Sequence, residues 1–395
     1  MTAETMSAET GVIAPIDRPG SASVVSPITR IVPWTGSPWI SRAVFVAFAA
    51  LIWVLPDIWL DSPSDIRKWA EFLCYATLAI GVDLAWGYGG MLVLGQGVFF
   101  GIGAYSMGMY LTLENVPEGS ELPSFMSLYS DFTTLPGLWR PFHHLWFAIG
   151  AAVVVPMVVA AALGYLVFTR RVRGPFFALL TQATALIFTL ILIGNLPLTA
   201  GFNGLTDFTT IFGRNKYEPA TNLWVYRLAA VAMLAILALA LVMVRSRFGR
   251  LLVAVRDSEE RVRFLGYDPA LIKAVGFAVS AGIAGIAGAI AAPIIGIVAP
   301  NQFGILPSIL FVCWVAVGGR GTLWGAVIGA LVVNWARTTV SSARPDDWSY
   351  LQGGLFVVVL AFAPGGIVGI AKAARQRVAA LRRRDPTLAI SEVNP

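Results

Sequence analysis

Charge is what this chain has least of. Lys, Arg, Asp and Glu together make up 13% of its 395 residues, against 57% hydrophobic ones, about half the charged share of an ordinary soluble domain, which is roughly 25%. With a mean hydropathy of +0.74, a soluble globular domain is excluded and an integral membrane protein is expected. The net charge of +6 would suggest nucleic acid in a soluble chain; here no nucleic-acid partner is expected, because the basic residues sit between long apolar runs. Cysteine and histidine are scarcer still, with two of each. Cys74 and Cys313 lie inside apolar segments without metal-ligand spacing and read as free, buried thiols. His143 and His144 are adjacent, with no carboxylate or cysteine placed to complete a metal site, and read as interfacial residues. Gly318-Gly319-Arg320-Gly321-Thr322 is glycine-rich but lacks the spacing and the lysine of a phosphate-binding loop, so ATP binding by that route is excluded. GxSxG and HExxH are absent too, leaving no nucleophile–base pair and no metal-hydrolase motif. The chain reads as a non-enzyme without cofactor or metal.

What is present is hydrophobic length. Stretches near 40–59, 68–88, 91–113, 146–168, 175–195, 223–244, 272–298, 305–319, 322–340 and 351–370 approach or exceed the roughly 20 residues that a helix needs to cross a bilayer. The fold class is therefore all-α, with about ten transmembrane helices. Glycines crowd 91–113, and only Arg320-Gly321 separates 305–319 from 322–340, so some helices are expected to be short or broken. Residues 1–38, rich in Ser, Thr, Pro, Gly and Ala, read as a disordered tail, 39–371 as the membrane domain, and 372–395 as a basic tail held against anionic lipid. No basic n-region precedes the first apolar run, so a cleaved signal peptide is not expected. Most of the 28 Lys and Arg fall in the two tails, Arg170-Arg171-Val172-Arg173, the 245–273 connection and Arg320. The positive-inside rule puts that side, and both termini, in the cytoplasm. The long connection 114–145, with Glu114, Glu118, Glu121 and Asp131, then faces outward and suits an external partner or solute.

The densest charge lies between Arg245 and Tyr267. Asp257 and Glu260 resemble a capping box that starts a short helix, with Gly266 as its stop, and Asp257–Arg261 and Glu259–Arg263 are i,i+4 pairs worth about 0.2–0.5 kcal/mol each. Such a helix outside the lipid offers Arg256, Asp257, Glu259, Glu260, Arg261 and Arg263 as a docking surface for a soluble partner. The alternative is a solvated loop whose arginines only fix topology.

Inside the apolar runs, polarity is mostly uncharged. Asp83 is the clearest buried acid, and either caps a broken helix, pairs with a neighbour or carries protons. Gln96 lies between Gly95 and Gly97, Thr181 precedes Gln182, and Asn334 falls in the ninth stretch. An amide in hydrocarbon must find a partner or a wet path, so these residues either glue helices together or line a route for a small neutral or zwitterionic solute. Ser280, Gly282, Gly285 and Gly288 have the small-residue spacing of closely packed membrane helices.

The runs Gly87–Tyr105, Arg247-Phe248-Gly249-Arg250 with Ala254-Val255-Arg256-Asp257, and Val317–Leu323 resemble permease subunits of branched-chain amino acid ABC importers, over about residues 67–370. Three stretches look closest to the second permease subunit of urea importers: Thr181-Gln182-Ala183, Asn203-Gly204-Leu205-Thr206-Asp207-Phe208 and Arg261–Tyr267. The chain departs from the family at Val93 and Gln96, where many members carry Ser and His. The resemblance implies an ABC importer permease fold in the cytoplasmic (inner) membrane. It further implies a heterodimer with a second homologous permease subunit, two cytoplasmic ATPase subunits, an external solute-binding protein, and 245–267 as the coupling element. The expected solute is urea or a short-chain amide. The rivals are a branched-chain amino acid permease and a stand-alone channel or secondary transporter; a membrane enzyme ranks behind both.

Overall fold

The computed structural model describes residues 38–60, 62–116, 120, 122–172, 174–206, 208–343, 353–354 and 366–370, with side chains from Arg42 onward. The two expected tails apart from Pro38, most of the tenth apolar stretch, Glu118, Glu121, Arg173 and Asp207 lie outside these residues. By its contacts the chain divides within the first helix into Met1–Val46 and Ala47–Pro395. The described part of the first unit is the opening of that helix; the bundle belongs to the second.

In chain order the helices begin with α1 (Pro38–Trp59), α2 (Pro63–Asp83), α3 (Gln96–Glu114), α4 (Ser124–Tyr129), α5 (Leu145–Thr169), α6 (Pro175–Gly194) and α7 (Leu196–Thr199). A short antiparallel hairpin, β1 (Thr210–Ile211) and β2 (Arg214–Asn215), leads into α8 (Pro219–Arg245), α9 (Arg247–Asp257) and α10 (Glu259–Phe264). Then come α11 (Pro269–Ile295), α12 (Ile305–Gly318) and α13 (Leu323–Ala343). Proline opens α2, α6, α8 and α11, where its missing N–H costs nothing and its fixed φ suits the first turn. Ser62 and Asp268 complete two of these starts by accepting the N–H groups of Ser64 and Ala270 at 3.3 and 2.9 Å. At the other end of α11, Gly296 takes φ 78°, the left-handed stop that glycine supplies without a Cβ clash.

Among the described residues, eight helices are long and apolar enough to cross a membrane. The stretch 91–113 does not form one uninterrupted span, because its helix α3 starts only at Gln96.

Burial separates an inner layer from an outer one. In the apolar 18-residue stretch of Pro63–Tyr88 and of Pro269–Ile295, 83% and 78% of the residues are buried, against 33% in α5 and 28% in α6. On those outer helices Val154, Val158 and Leu166, and Leu186, Ile187 and Leu190, are exposed apolar side chains, as expected of faces turned to lipid. Glycine sets how closely the inner helices approach. A methyl group on Gly285 would overlap the carbonyl of Ala152 on α5, one on Gly103 of α3 would overlap the backbone at Gly285, and one on Gly288 would overlap the carbonyl of Phe100. With little hydrophobic drive between helices in lipid, such close backbone packing holds α3, α5 and α11 together. Both cysteines are free and buried.

The connections before and after the hairpin lie at the end of the bundle opposite to the arginine-rich one. Glu114, the last residue of α3, accepts the N–H groups of Phe212 and Gly213, and Asn115 accepts those of Thr209 and Thr210. Arg67 donates to the carbonyl of Ile294 at 3.0 Å. Burial first, and then the like charge of Arg67, push the Lys216 ammonium below its ordinary range.

Candidate functional site

The helix that begins as α2 does not continue into α3. After Asp83 the chain widens into a π-turn over Leu84–Tyr88, then runs without helix through Gly90, at φ 70°, until α3 starts at Gln96. A break inside an apolar bundle strands backbone N–H groups that no water can reach, and side chains from other helices take them up. Thr181 of α6 accepts the N–H of Leu94 at 3.1 Å, and Ser308 of α12 accepts that of Gly97 at 3.0 Å. Gln96 is completely buried. Its Nε2 donates to the carbonyl and the hydroxyl of Ser280 at 3.1 and 3.0 Å, and the Ser280 hydroxyl donates onward to the carbonyl of Gly81 at 2.6 Å. The Gln96 Oε1 has no hydrogen-bond partner among the described residues. Ser280 stands about 16 Å along α11, close to the middle of a hydrocarbon core about 30 Å thick. Four segments thus bring uncharged donors and acceptors to one level of the bundle.

A second constellation lies at the arginine-rich end. Arg256, on the last turn of α9, donates through Nη1 to the carbonyl of Gly87 at 2.6 Å and pairs with Asp257 at 2.9 Å. Arg320, in the turn between α12 and α13, donates to the carbonyl of Trp86 at 3.1 Å and stacks over that indole, 4.8 Å from its centroid. The π-turn is therefore held by two guanidinium groups, one from the connection after α8 and one from the connection after α12. Asp83, also fully buried, accepts the N–H of Gly321 at 2.6 Å, tying the end of α2 to the turn between α12 and α13. Of the readings open for Asp83, pairing with a neighbour describes this geometry, since its carboxylate makes no cap bond at the start of the π-turn. Gly90 cannot carry a side chain here, because a Cβ would meet the stem of Arg256. Glu259 joins α10 to the bundle through Lys273 of α11 at 2.7 Å and also meets Arg263 at 3.3 Å. A polar cavity of about 370 Å³ lies between Gly90, Leu92, Arg256, Glu259, Lys273 and Arg320.

The residues singled out in the sequence are distributed unevenly. Gln96 and Thr181 meet at the break. Gln182, the next residue of α6, is half-buried. Asn334 is buried on α13 and spends its Nδ2 on the carbonyl of Ala330 at 2.8 Å, one turn back on its own helix. Of the charged group, Arg256 and Glu259 turn inward to the bundle, whereas Glu260, Arg261 and Arg263 are exposed. Asp257 does not begin the short helix with Glu260. It is the last residue of α9, because Ser258, at φ −157° and ψ 91°, breaks the chain between two helices. Asp257 consequently pairs with Arg256, while the expected Glu259–Arg263 pair forms.

Sequence reasoning passed over Lys273, Trp86 and the apolar tip of α10. Phe264 is 91% exposed and Leu265 75%, with Tyr267 beside them. The signal for the tip was available: three large apolar residues around Gly266, in a segment otherwise charged. The partners of Trp86 and Lys273 carry no local signal, since each lies far away in the chain.

A broken inner helix with buried neutral polar groups, coupled to an amphipathic helix pair outside the bundle, is the layout of a permease. The sequence profile of the family described as "Branched-chain amino acid transport system / permease component" matches residues 69–360. The chain belongs to this family. Permeases similar to it include the High-affinity branched-chain amino acid transport system permease protein LivM of Escherichia coli K12, 26% identical over 90% of this chain and 81% of that protein. LivH of Salmonella typhimurium LT2, with the same description, is 24% identical over 75% of this chain and 91% of its own length. The Autoinducer 2 import system permease protein LsrC of Photorhabdus laumondii is 29% identical over 33% of this chain and 41% of its own. No solved structure matches. This permease is a multi-pass inner-membrane protein and a non-catalytic subunit of an ABC importer, in which separate subunits hydrolyse ATP.

Proposed function

We propose that this permease subunit carries urea or a short-chain amide through the level of Gln96, driven by ATPase subunits that dock on α9 and α10. The observation that carries the reading is the chemistry at the break. Gln96, Ser280, Thr181 and Ser308 offer only neutral hydrogen-bonding groups, and the Gln96 carbonyl oxygen is buried without a partner among the described residues. A neutral N–H donor exchanges water for that acceptor without bringing a charge into hydrocarbon, which costs several kcal/mol even after relaxation. The stretches at 181–183, 203–208 and 261–267 that resemble urea-importer subunits support the same solute. In this scheme Gln96, Thr181 and Gln182 lie on the path, while Asn334 contributes to it only from the neighbouring helix.

Arg256, Asp257, Glu259, Glu260, Arg261 and Arg263 then divide their work. The outward group, with Phe264 and Leu265, meets an ATPase subunit; Arg256 and Glu259 pass its movement to the π-turn and to α11. The basic end faces the cytoplasm and both termini lie there. A second homologous permease subunit completes the membrane unit, and an external solute-binding protein delivers solute to the opposite end. The names of the relatives favour a second reading, a branched-chain amino acid as the solute.

Uptake of labelled urea and labelled leucine into cells carrying the complete transporter, with and without its ATPase subunits, decides between these readings. ATPase-dependent urea entry without competition by leucine is expected. Leucine entry without urea entry overturns the solute assignment, and flux without ATPases overturns the docking role of α9 and α10.

A further inference from the structure

A cleft of about 450 Å³ opens on the bundle face made by α2, α12 and α13. Its charged residues are Glu71 on α2 and Arg337 on α13, with Tyr75 of α2 and Asn301 and Gln302 of the connection before α12 as further polar lining; its floor is Phe100, Phe311 and Trp314. The Tyr75 hydroxyl donates to Glu71 Oε1 at 2.6 Å, one turn away on the same helix, and so holds the carboxylate in the lining of the cleft. The floor rings are close-packed: Tyr75 and Trp314 lie 4.9 Å apart, Phe311 and Trp314 5.0 Å, and Phe100 and Phe303 5.9 Å between centroids. Phe100, Phe311 and Trp314 are each buried. Phe100 also stands one helical turn beyond Gln96 on α3, so the aromatic floor lies between the cleft and the break.

A carboxylate and a guanidinium lining one apolar cleft are functional candidates by default in a membrane-spanning bundle. Neither Glu71 nor Arg337 is used by the break or by the arginine-rich end. We infer that Glu71, Tyr75 and Arg337 form an outer solute site for a planar amide, which the aromatic layer separates from Gln96. The inference rests on urea or a short-chain amide being the solute. Glu71 accepts N–H from the solute's amide nitrogen, Arg337 donates to its carbonyl oxygen, and the flat rings of Tyr75 and Trp314 suit its planar face. The residue pair matches both ends of a urea-like group while adding no net charge to the cleft.

The test uses the complete transporter reconstituted in vesicles, with solute-loaded binding protein at saturation. Labelled urea transported and ATP hydrolysed are measured together for the wild type, Glu71→Gln, Arg337→Gln and the conservative Arg337→Lys. Wild-type urea transport is the control for the solute reading; if it is absent and leucine is carried instead, that reading fails at this step, before any variant is compared. Given urea transport, Glu71→Gln and Arg337→Gln are expected to lower urea moved per ATP by about tenfold, the loss that corresponds to one charged hydrogen bond. Arg337→Lys should restore part of it, with ATP hydrolysis and subunit assembly unchanged in all variants. Unchanged urea per ATP in both glutamine variants overturns the site while leaving the solute reading intact. A parallel fall of hydrolysis and transport also overturns it, because that marks a structural role.

Discussion

Arg256 offers the most direct test of how the outer helix pair acts on the broken span. Its side chain is 13% exposed, and Nη1 reaches the Gly87 carbonyl at 2.6 Å from a helix that does not otherwise share the α2 backbone. Arg256→Ala removes a charge-assisted hydrogen bond, worth about 1.5–3 kcal/mol where solvent is largely excluded. The pair with Asp257 adds little, because that partner is 38% exposed and such pairs contribute about 0–1 kcal/mol. The bond energy converts to about a 10- to 100-fold loss in the fraction of π-turns that follow α9. The expected result is ATP hydrolysis at wild-type rate with solute uptake per ATP reduced by roughly that factor. Arg256→Lys should be intermediate, since a single ammonium replaces the planar fork but reaches less far. Because Arg320 grips the adjacent carbonyl of Trp86, Arg256→Ala and Arg320→Ala should be non-additive in combination. Wild-type uptake per ATP in Arg256→Ala, with the subunit fully assembled, would refute the claim that this contact transmits movement.

Three further perturbations separate packing, break and docking. Gly285→Ala drives a methyl into the Ala152 carbonyl and should destabilise the bundle by about 1–3 kcal/mol, seen as a lower melting temperature in detergent; no change would mean that α5 and α11 can part freely. Ser280→Ala removes the hydroxyl partner of the Gln96 amide and the bond to Gly81, leaving buried groups unsatisfied at about 1–3 kcal/mol; hydrogen exchange should find the 89–97 segment opened while α8 keeps its protection. Phe264→Ser with Leu265→Ser alters side chains that are 91% and 75% exposed, so stability should stay within about 0.5 kcal/mol while co-purification with the ATPase subunits is lost, and Arg261→Glu with Arg263→Glu should weaken it in the same assay.

Much of the architecture was legible because membrane burial writes itself into composition. A long apolar run has few alternatives to a helix, since every backbone group must be satisfied within its own segment. The glycines at 89–108 announced a break, and Gly285 and Gly288 announced close packing. Where the break fell was less legible. The stretch 91–113 reads as one span, yet α3 starts at Gln96 because Thr181 and Ser308, far away in the chain, take up the freed N–H groups. The charged segment 245–267 was visible as a unit, but its division into inward and outward residues was not. Asp257 ended one helix instead of starting the next, since the amphipathic turns of 247–257 had their own cap in Ser246 and their own buried residues, Leu252 and Val255.

Sequence alone determined the class of this protein: an apolar, multi-span permease without the motifs of an enzyme, because hydropathy, charge placement and short motifs are local properties of the chain. Only the tertiary structure decided that Gln96 meets Ser280, that Arg256 and Arg320 share one π-turn, and that Glu71 and Arg337 line one cleft. The hydrogen-bonded pairs among these join residues 169 or more positions apart. Their physical cause is the close approach of α2, α3 and α11 that small side chains allow, which no local pattern encodes.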